Sequence, residues 1–248
     1  MKRLWTLVAL GVGAYIVFAL VTLPASLLTS RLGKYGVAAS GVEGTVWKGR
    51  AQVLQVAGTN LGNVTWNLHV LALFTAHLQA DLELNRTDGF AHGIVAVSAD
   101  GKLRMSNLNA SLPLSALPAG GLPGGWAGML KLKLADLVLE KGWPTSIDGT
   151  VEAMDLTGPA RRPANIGSYR LVFAPARNTA DTLSGALTDL GGPLQIAGTL
   201  QLKNDRSYLI EGFVTTRAAT PRDVADALQM LGPPDAQGRR PFSIAGTM

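Results

Sequence analysis

Cysteine is absent from the 248-residue chain, which excludes disulfides, thiolate zinc sites and thiol catalysis. Histidine is scarce. His69, His77 and His92 are the only three, and their spacing matches no metal-ligand pattern. Charged residues make up 16% of the chain and aromatics 6%. The basic excess, 22 Lys and Arg against 17 Asp and Glu, is spread thinly. It lacks the clustered patch that a nucleic-acid binder uses. The glycine-rich "GGLPGGWAG" has neither the lysine nor the strand–helix context of a phosphate loop. No serine stands in G-x-S-x-G, and nothing pairs Asp148, Glu152 or Asp155 as acid and base. Trp47, Trp66, Trp126 and Trp143 read as core or rim rather than as a ligand box. These absences point away from an enzyme, a cofactor, a metal and a nucleic-acid partner.

What is present first is a long apolar start, "MKRLWTLVALGVGAYIVFALVTLPASLLTSR", with no charged residue from Leu4 to Ser30. A bilayer core about 30 Å thick takes roughly 20 apolar residues as helix. Residues 1–34 therefore read as an N-terminal transmembrane helix and its flank, a retained signal anchor. Leu4, Trp5, Leu10, Ile16, Phe18, Leu20 and Leu23 are its expected membrane residues. A cleaved signal peptide has a shorter apolar region and an A-x-A-like site, and the small residues around Pro24, Ala25 and Ser26 are not spaced that way. Lys2, Arg3 and the very short tail favour the tail inside and the long domain outside.

From residue 35 to 248 the period is two. In "AHLQADLEL", Ala76, Leu78, Ala80, Leu82 and Leu84 fall on one face, and His77, Gln79, Asp81 and Glu83 on the other, which is the pattern of a half-buried strand. "GTVWKGRAQVL", "GIVAVSA", "MLKLKL", "YRLVF", "LQIAGTLQLK" and "YLIEGFVTT" are further strands. Between Met105 and Leu108 the apolar phase slips by one residue, which predicts a bulge. "TPRDVADALQMLG" predicts one short C-terminal helix near 220–231, with Thr220 as N-cap, Pro221 at the first helical position and Val224, Ala227, Leu228 and Leu231 as its apolar stripe. The expected fold is mostly β: after the helix, a strongly curved, largely antiparallel sheet, folded over or forming a partial barrel.

One five-residue pattern recurs: V-E-G-T-V, I-D-G-T-V, I-A-G-T-L and I-A-G-T-M, centred on Gly44, Gly149, Gly198 and Gly246. Residues i−2, i and i+2 of a strand share a face, so each glycine sits within the apolar face. Strand-interior glycine marks a bend or the close approach of another backbone. Repeated on the buried face, it lets a sheet curl with that face inward. Such a sheet, with small inward residues at Ala76, Ala80, Gly149 and Gly198, also fits a lipid-binding or lipid-transfer module.

Several phrases resemble the type II secretion system protein N (general secretion pathway protein N) family. They are the apolar start, "GVEGTVWKGRA", "LGNVTWNL", "IGSYRLVF", "LSGALTDLGGPLQIAGTLQL" and "LGPPDAQGRRPFSIAG". Residues 85–126 offer little to match. The resemblance implies a single-pass inner-membrane protein of Gram-negative bacteria with its bulk in the periplasm. It implies a non-enzymatic accessory role in moving folded proteins across the outer membrane. The implied partners are the inner membrane and other secretion components, including the outer-membrane secretin. No catalytic residues carry over.

Overall fold

The computed structural model describes residues 2–27, 33, 36–56, 58–70, 77–117, 125–158, 165–179, 181–218 and 220–247. For residues 2–9, 17 and 77 it describes the backbone alone. Ala76 and most of the proline- and glycine-rich stretch 117–126 lie outside the described residues.

The chain begins with helix α1 (Lys2–Val21). Among the described residues thirteen strands follow in one sheet, each hydrogen-bonded to the next in chain order. They are β1 (Val37–Gly44), β2 (Lys48–Val56), β3 (Thr59–Leu68), β4 (His77–Arg86), β5 (Gly89–Ser98) and β6 (Leu103–Pro113). Then come β7 (Ala127–Glu140), β8 (Trp143–Thr157), β9 (Asn165–Phe173), β10 (Thr182–Asp189), β11 (Leu194–Lys203), β12 (Ser207–Thr216) and β13 (Arg240–Thr247). Every pairing is antiparallel. Short hairpin connections make this order the natural one, because sequential antiparallel strands need only a turn between them. Helix α2 (Arg222–Gln229) lies in the β12–β13 connection.

The register sorts the sheet into two faces. Stepping from partner to partner, one row leaves Val42, passes Leu84, Ala110, Leu171 and Gly198, and ends at Phe242 without meeting a polar side chain. The row one residue along leaves Glu43 and passes Arg50, Glu83, His92, Lys133 and Thr199 to Ser243, interrupted only by Val172 and Ala186. A one-residue slip anywhere would exchange the faces, so burial of one face fixes the register throughout.

The densest packing sits in the second half of the sheet. Leu134, Ile147, Phe173 and Leu183 are buried together, with Val151, Leu171 and Leu200 packed against them. Where the apolar phase slips in β6, the structure has a bulge. The β5–β6 register shifts between His92 and Ile94, and Asn107 takes a positive φ of 53°.

The sheet is a single open one: among the described residues β1 and β13 do not pair. It therefore keeps two edges and does not close as a barrel. It is curled near β6. The 3₁₀ turn Leu114–Ala116 contacts both β7 and β3, whose places in a flat sheet would be about 19 Å apart. Leu114 and Ala116 are buried there.

Two local expectations change. The stretch "GTVWKGRAQVL" is not one strand: Thr45–Trp47 is the β1–β2 turn and β2 starts at Lys48. Thr220 does not cap α2. Its hydroxyl donates to Pro193 O at 2.6 Å and accepts from Arg217 N at 3.0 Å, so a tertiary contact outcompetes the cap. Pro221 takes the N-cap place without a side-chain bond, and no residue of α2 is buried.

Candidate functional site

Three features of the sheet are candidates for a functional site. They are the junction with α1, the apolar face between β2 and β6, and a depression on the polar face behind it.

The junction is a strap. Gly44 ends β1 with φ +91°, and a Cβ there would come 2.5 Å from Lys48 O. Only glycine allows a turn that tight in this conformation. The turn turns its backbone towards the end of α1. Ala25 N donates to Gly44 O at 3.1 Å, Val46 N donates to Leu23 O at 2.9 Å, and Pro24 bridges Thr45. The Trp47 indole N–H donates to Leu20 O at 2.8 Å. The Trp66 indole, from β3, donates to Val46 O at 3.1 Å. Ala25 is 1% exposed. The chain leaving α1 is thus paired onto the sheet's first turn rather than hanging from it.

Along α1, the side chains of Leu10, Ile16, Phe18 and Leu20 are exposed, and Leu23 is partly covered. The side chains of Leu4 and Trp5 lie outside the described residues. Among the described residues no helix is long and apolar enough to cross a membrane. The fully described part of α1, from Leu10 to Val21 without residue 17, is shorter than the roughly 20 residues a bilayer takes.

The recurring glycines sit at close approaches of neighbouring strands. Gly149 pairs with Leu134 on one side and Phe173 on the other, within the core row, at φ +135°. A Cβ at Gly149 would meet Lys133 O at 2.2 Å, and one at Gly198 would meet Glu211 O at 2.3 Å. What a side chain would strike is the adjacent strand's backbone, not a facing wall. At Gly246 the obstruction is the Tyr208 ring, its Oη 2.6 Å from a Cβ.

On the apolar face, a cavity of 240 Å³ lies between β2 and β6, lined by Leu54, Leu61, Val64, Leu84, Val95 and Met105 among others. On the polar face a more open depression of 740 Å³ is bordered by Glu43, Arg50, Asp81, Glu83 and His92. Glu43 and Arg50 pair there at 2.6 Å, and His69 Nε2 lies 2.9 Å from Asp81 Oδ2. His92 stacks on Phe90 with ring centroids 6.0 Å apart. The side chain of His77 is outside the described residues. Among the described residues no three His, Asp or Glu side chains come together as a metal site. The depression's pairs are exposed cross-strand contacts of small individual worth.

Among the described residues the most shielded charge pair, Asp189–Arg217, lies at the end of the sheet away from α1. Arg217 Nη2 donates to Asp189 Oδ2 at 2.8 Å, and its Nη1 donates to Gly192 O at 3.1 Å. Burial alone would raise the Asp189 carboxyl. The Arg217 bond and the Gly191 N–H outweigh that and hold it below the ordinary carboxylate value. Next to it, burial and then the Asp189 charge push the Tyr169 phenol up to about 12. Its hydroxyl donates to Ile166 O, so it is a structural phenol, neutral at physiological pH.

The strap was not legible in the sequence, although its residues were. "GVEGTVWKGRA" and Pro24–Ala25 both stood out, but nothing in either indicates that they pair.

The fold is an open antiparallel meander with one apolar face, strapped through its first turn to an N-terminal helix. The family profile described as "Type II secretion system (T2SS), protein N" matches residues 35–243. The chain belongs to this family. It is 29% identical over 255 residues to the type II secretion system protein N of Aeromonas hydrophila, covering 99% of each chain. It is 27% identical over 241 residues to that of Vibrio cholerae, covering 92% of each. No solved structure matches it.

Proposed function

We propose that the protein is a non-enzymatic accessory subunit of the type II secretion system. In this reading α1 holds it in the inner membrane, the sheet stands in the periplasm, and it contacts other secretion components, the outer-membrane secretin among them. Family membership over residues 35–243 carries the secretion role. The strap supports a retained anchor. Cleavage near Ser26 would split off, together with α1, the Leu23–Ala25 segment that pairs with Gly44–Val46. Unpaired sheet edges support partner contact, since they accept a partner's strand.

The test has three readouts. Alkaline phosphatase fused after Met248 is active, carbonate washing leaves the protein in the membrane, and crosslinking in intact envelopes recovers other secretion subunits. A soluble product cut near Ser26 would overturn the anchor, and recovery of no secretion subunit would overturn the role.

A second reading rests on a separate observation, the 240 Å³ cavity on the apolar face between β2 and β6. In that reading the protein also holds lipid against the face.

A further inference from the structure

We propose that the apolar face between β2 and β6 takes one acyl chain of a membrane lipid, which enters at the end of the sheet tied to α1. The proposal deepens the lipid reading above, and its entry route rests also on α1 lying in the bilayer.

The two halves of the apolar face are filled differently. In the second half, Leu134, Phe173 and Leu183 bury one another. In the first half the same face carries small residues at Ala51, Ala91, Gly93 and Ala110, and Ala91 and Gly93 line the cavity. There the cavity remains, and at 240 Å³ it exceeds the roughly 150 Å³ apolar void that stays dry and takes benzene. Its lining offers almost no polar group, so a hydrocarbon is the chemistry that suits it. A protein strand would leave its backbone N–H and C=O groups unpaired against such a lining.

Among the described residues the two ends of this part of the face differ. At the end away from α1, the Leu114–Ala116 turn spans from β7 to β3 and is buried. At the other end, Leu78 and Val97 face each other across β4 and β5, and are 47% and 39% exposed. Ala80, Val95 and Met105 then lead inward along the same face. This is the end that carries the β1–β2 turn and hence the strap from Leu20–Ala25. The exposed apolar mouth and the helix end therefore lie at the same end of the sheet.

The test uses the full chain in phosphatidylethanolamine–phosphatidylglycerol vesicles doped with a phospholipid carrying a diazirine in one acyl chain. After irradiation, labelled peptides are mapped. We expect label in α1 and in β4–β6. Leu78→Asp, at the mouth, and Ala91→Phe, inside the cavity, each lower the β4–β6 label about tenfold, the equivalent of about 1.4 kcal/mol of binding. Ile244→Asp alters an equally exposed residue of the same face on β13 and leaves that label unchanged. Leu78 is at the surface, so its variant keeps the fold even if Ala91→Phe does not; melting curves check both. Label in α1 with none in β4–β6 overturns the lipid site while the anchor stands. Label in β4–β6 with none in α1 overturns the entry route. Label in neither overturns both. A β4–β6 label that Leu78→Asp leaves intact, or one that Ile244→Asp lowers equally, also overturns the proposal.

Discussion

The indole N–H of Trp47 donates to the carbonyl of Leu20 at 2.8 Å, across 27 residues of chain. One partner ends a helix and the other closes a hairpin turn, so the bond fixes where the helix meets the sheet. Trp47→Phe keeps an aromatic side chain, smaller than the indole, and removes the donor. One hydrogen bond is worth about 1 kcal/mol, and Leu20 O is a helix-end carbonyl that water can reach. We expect the sheet's melting temperature to be almost unchanged. Limited proteolysis in detergent should cut faster between Val21 and Gly36. An unchanged cleavage rate there would mean that the strap does not depend on Trp47.

Gly198 and Thr199 separate the two faces at one residue's distance. A Cβ at Gly198 would lie 2.3 Å from Glu211 O, so β11 and β12 must part to admit a side chain. Gly198→Leu is expected to cost at least the 1–3 kcal/mol typical of overpacking. Thr199 is exposed beside Ala186 and Glu211, and Thr199→Leu should stay within about 0.5 kcal/mol. Thermal melts of the two variants check this, and equal melting temperatures would remove the close-approach account of the glycine pattern.

Leu134 and Leu82 lie on the same apolar face but in different halves of the sheet. Leu134 is 5% exposed within the buried cluster, whereas Leu82 is 37% exposed beside the cavity. Leu134→Ala should cost about 2–5 kcal/mol. Leu82→Ala removes partly solvated surface and should cost about 1 kcal/mol. Urea denaturation that finds the two equal would contradict an uneven core.

The Asp189–Arg217 pair sets a pH dependence. The folded Asp189 carboxyl lies below its ordinary value. Its stabilisation is therefore complete above the unfolded value near 3.9 and is lost as pH falls through the lower folded value. Arg217→Met should destabilise at neutral pH by about 1–2 kcal/mol, the low end for a charged hydrogen bond, because the guanidinium is partly solvated. The difference between variant and parent should shrink as pH drops below about 4. A difference that stays constant down to pH 3 would show that Arg217 acts through its bonds to Gly192 O and Leu194 O instead.

Much of the fold was legible because its signals are local. The alternation in "AHLQADLEL" assigns β4, and the phase slip after Met105 marks the bulge at Asn107. What failed was also local in form but tertiary in cause. Thr220 has a good cap sequence, yet its hydroxyl serves Pro193 O on a distant turn. Val46 and Trp47 read as strand, yet they bond to Leu23 and Leu20.

The sequence by itself determined the apolar start, the two-residue period, the recurrence of the five-residue pattern around Gly44, Gly149, Gly198 and Gly246, and the family. Each of these depends on residue type and on spacing within a few positions. Only the tertiary structure decided that β1 and β13 stay unpaired, that α1 is strapped to Gly44–Trp47, and that the face is filled around Leu134 and hollow around Ala91. Those depend on which strands meet, and pairing between distant segments is set by the summed burial of the whole face and not by any one stretch of chain.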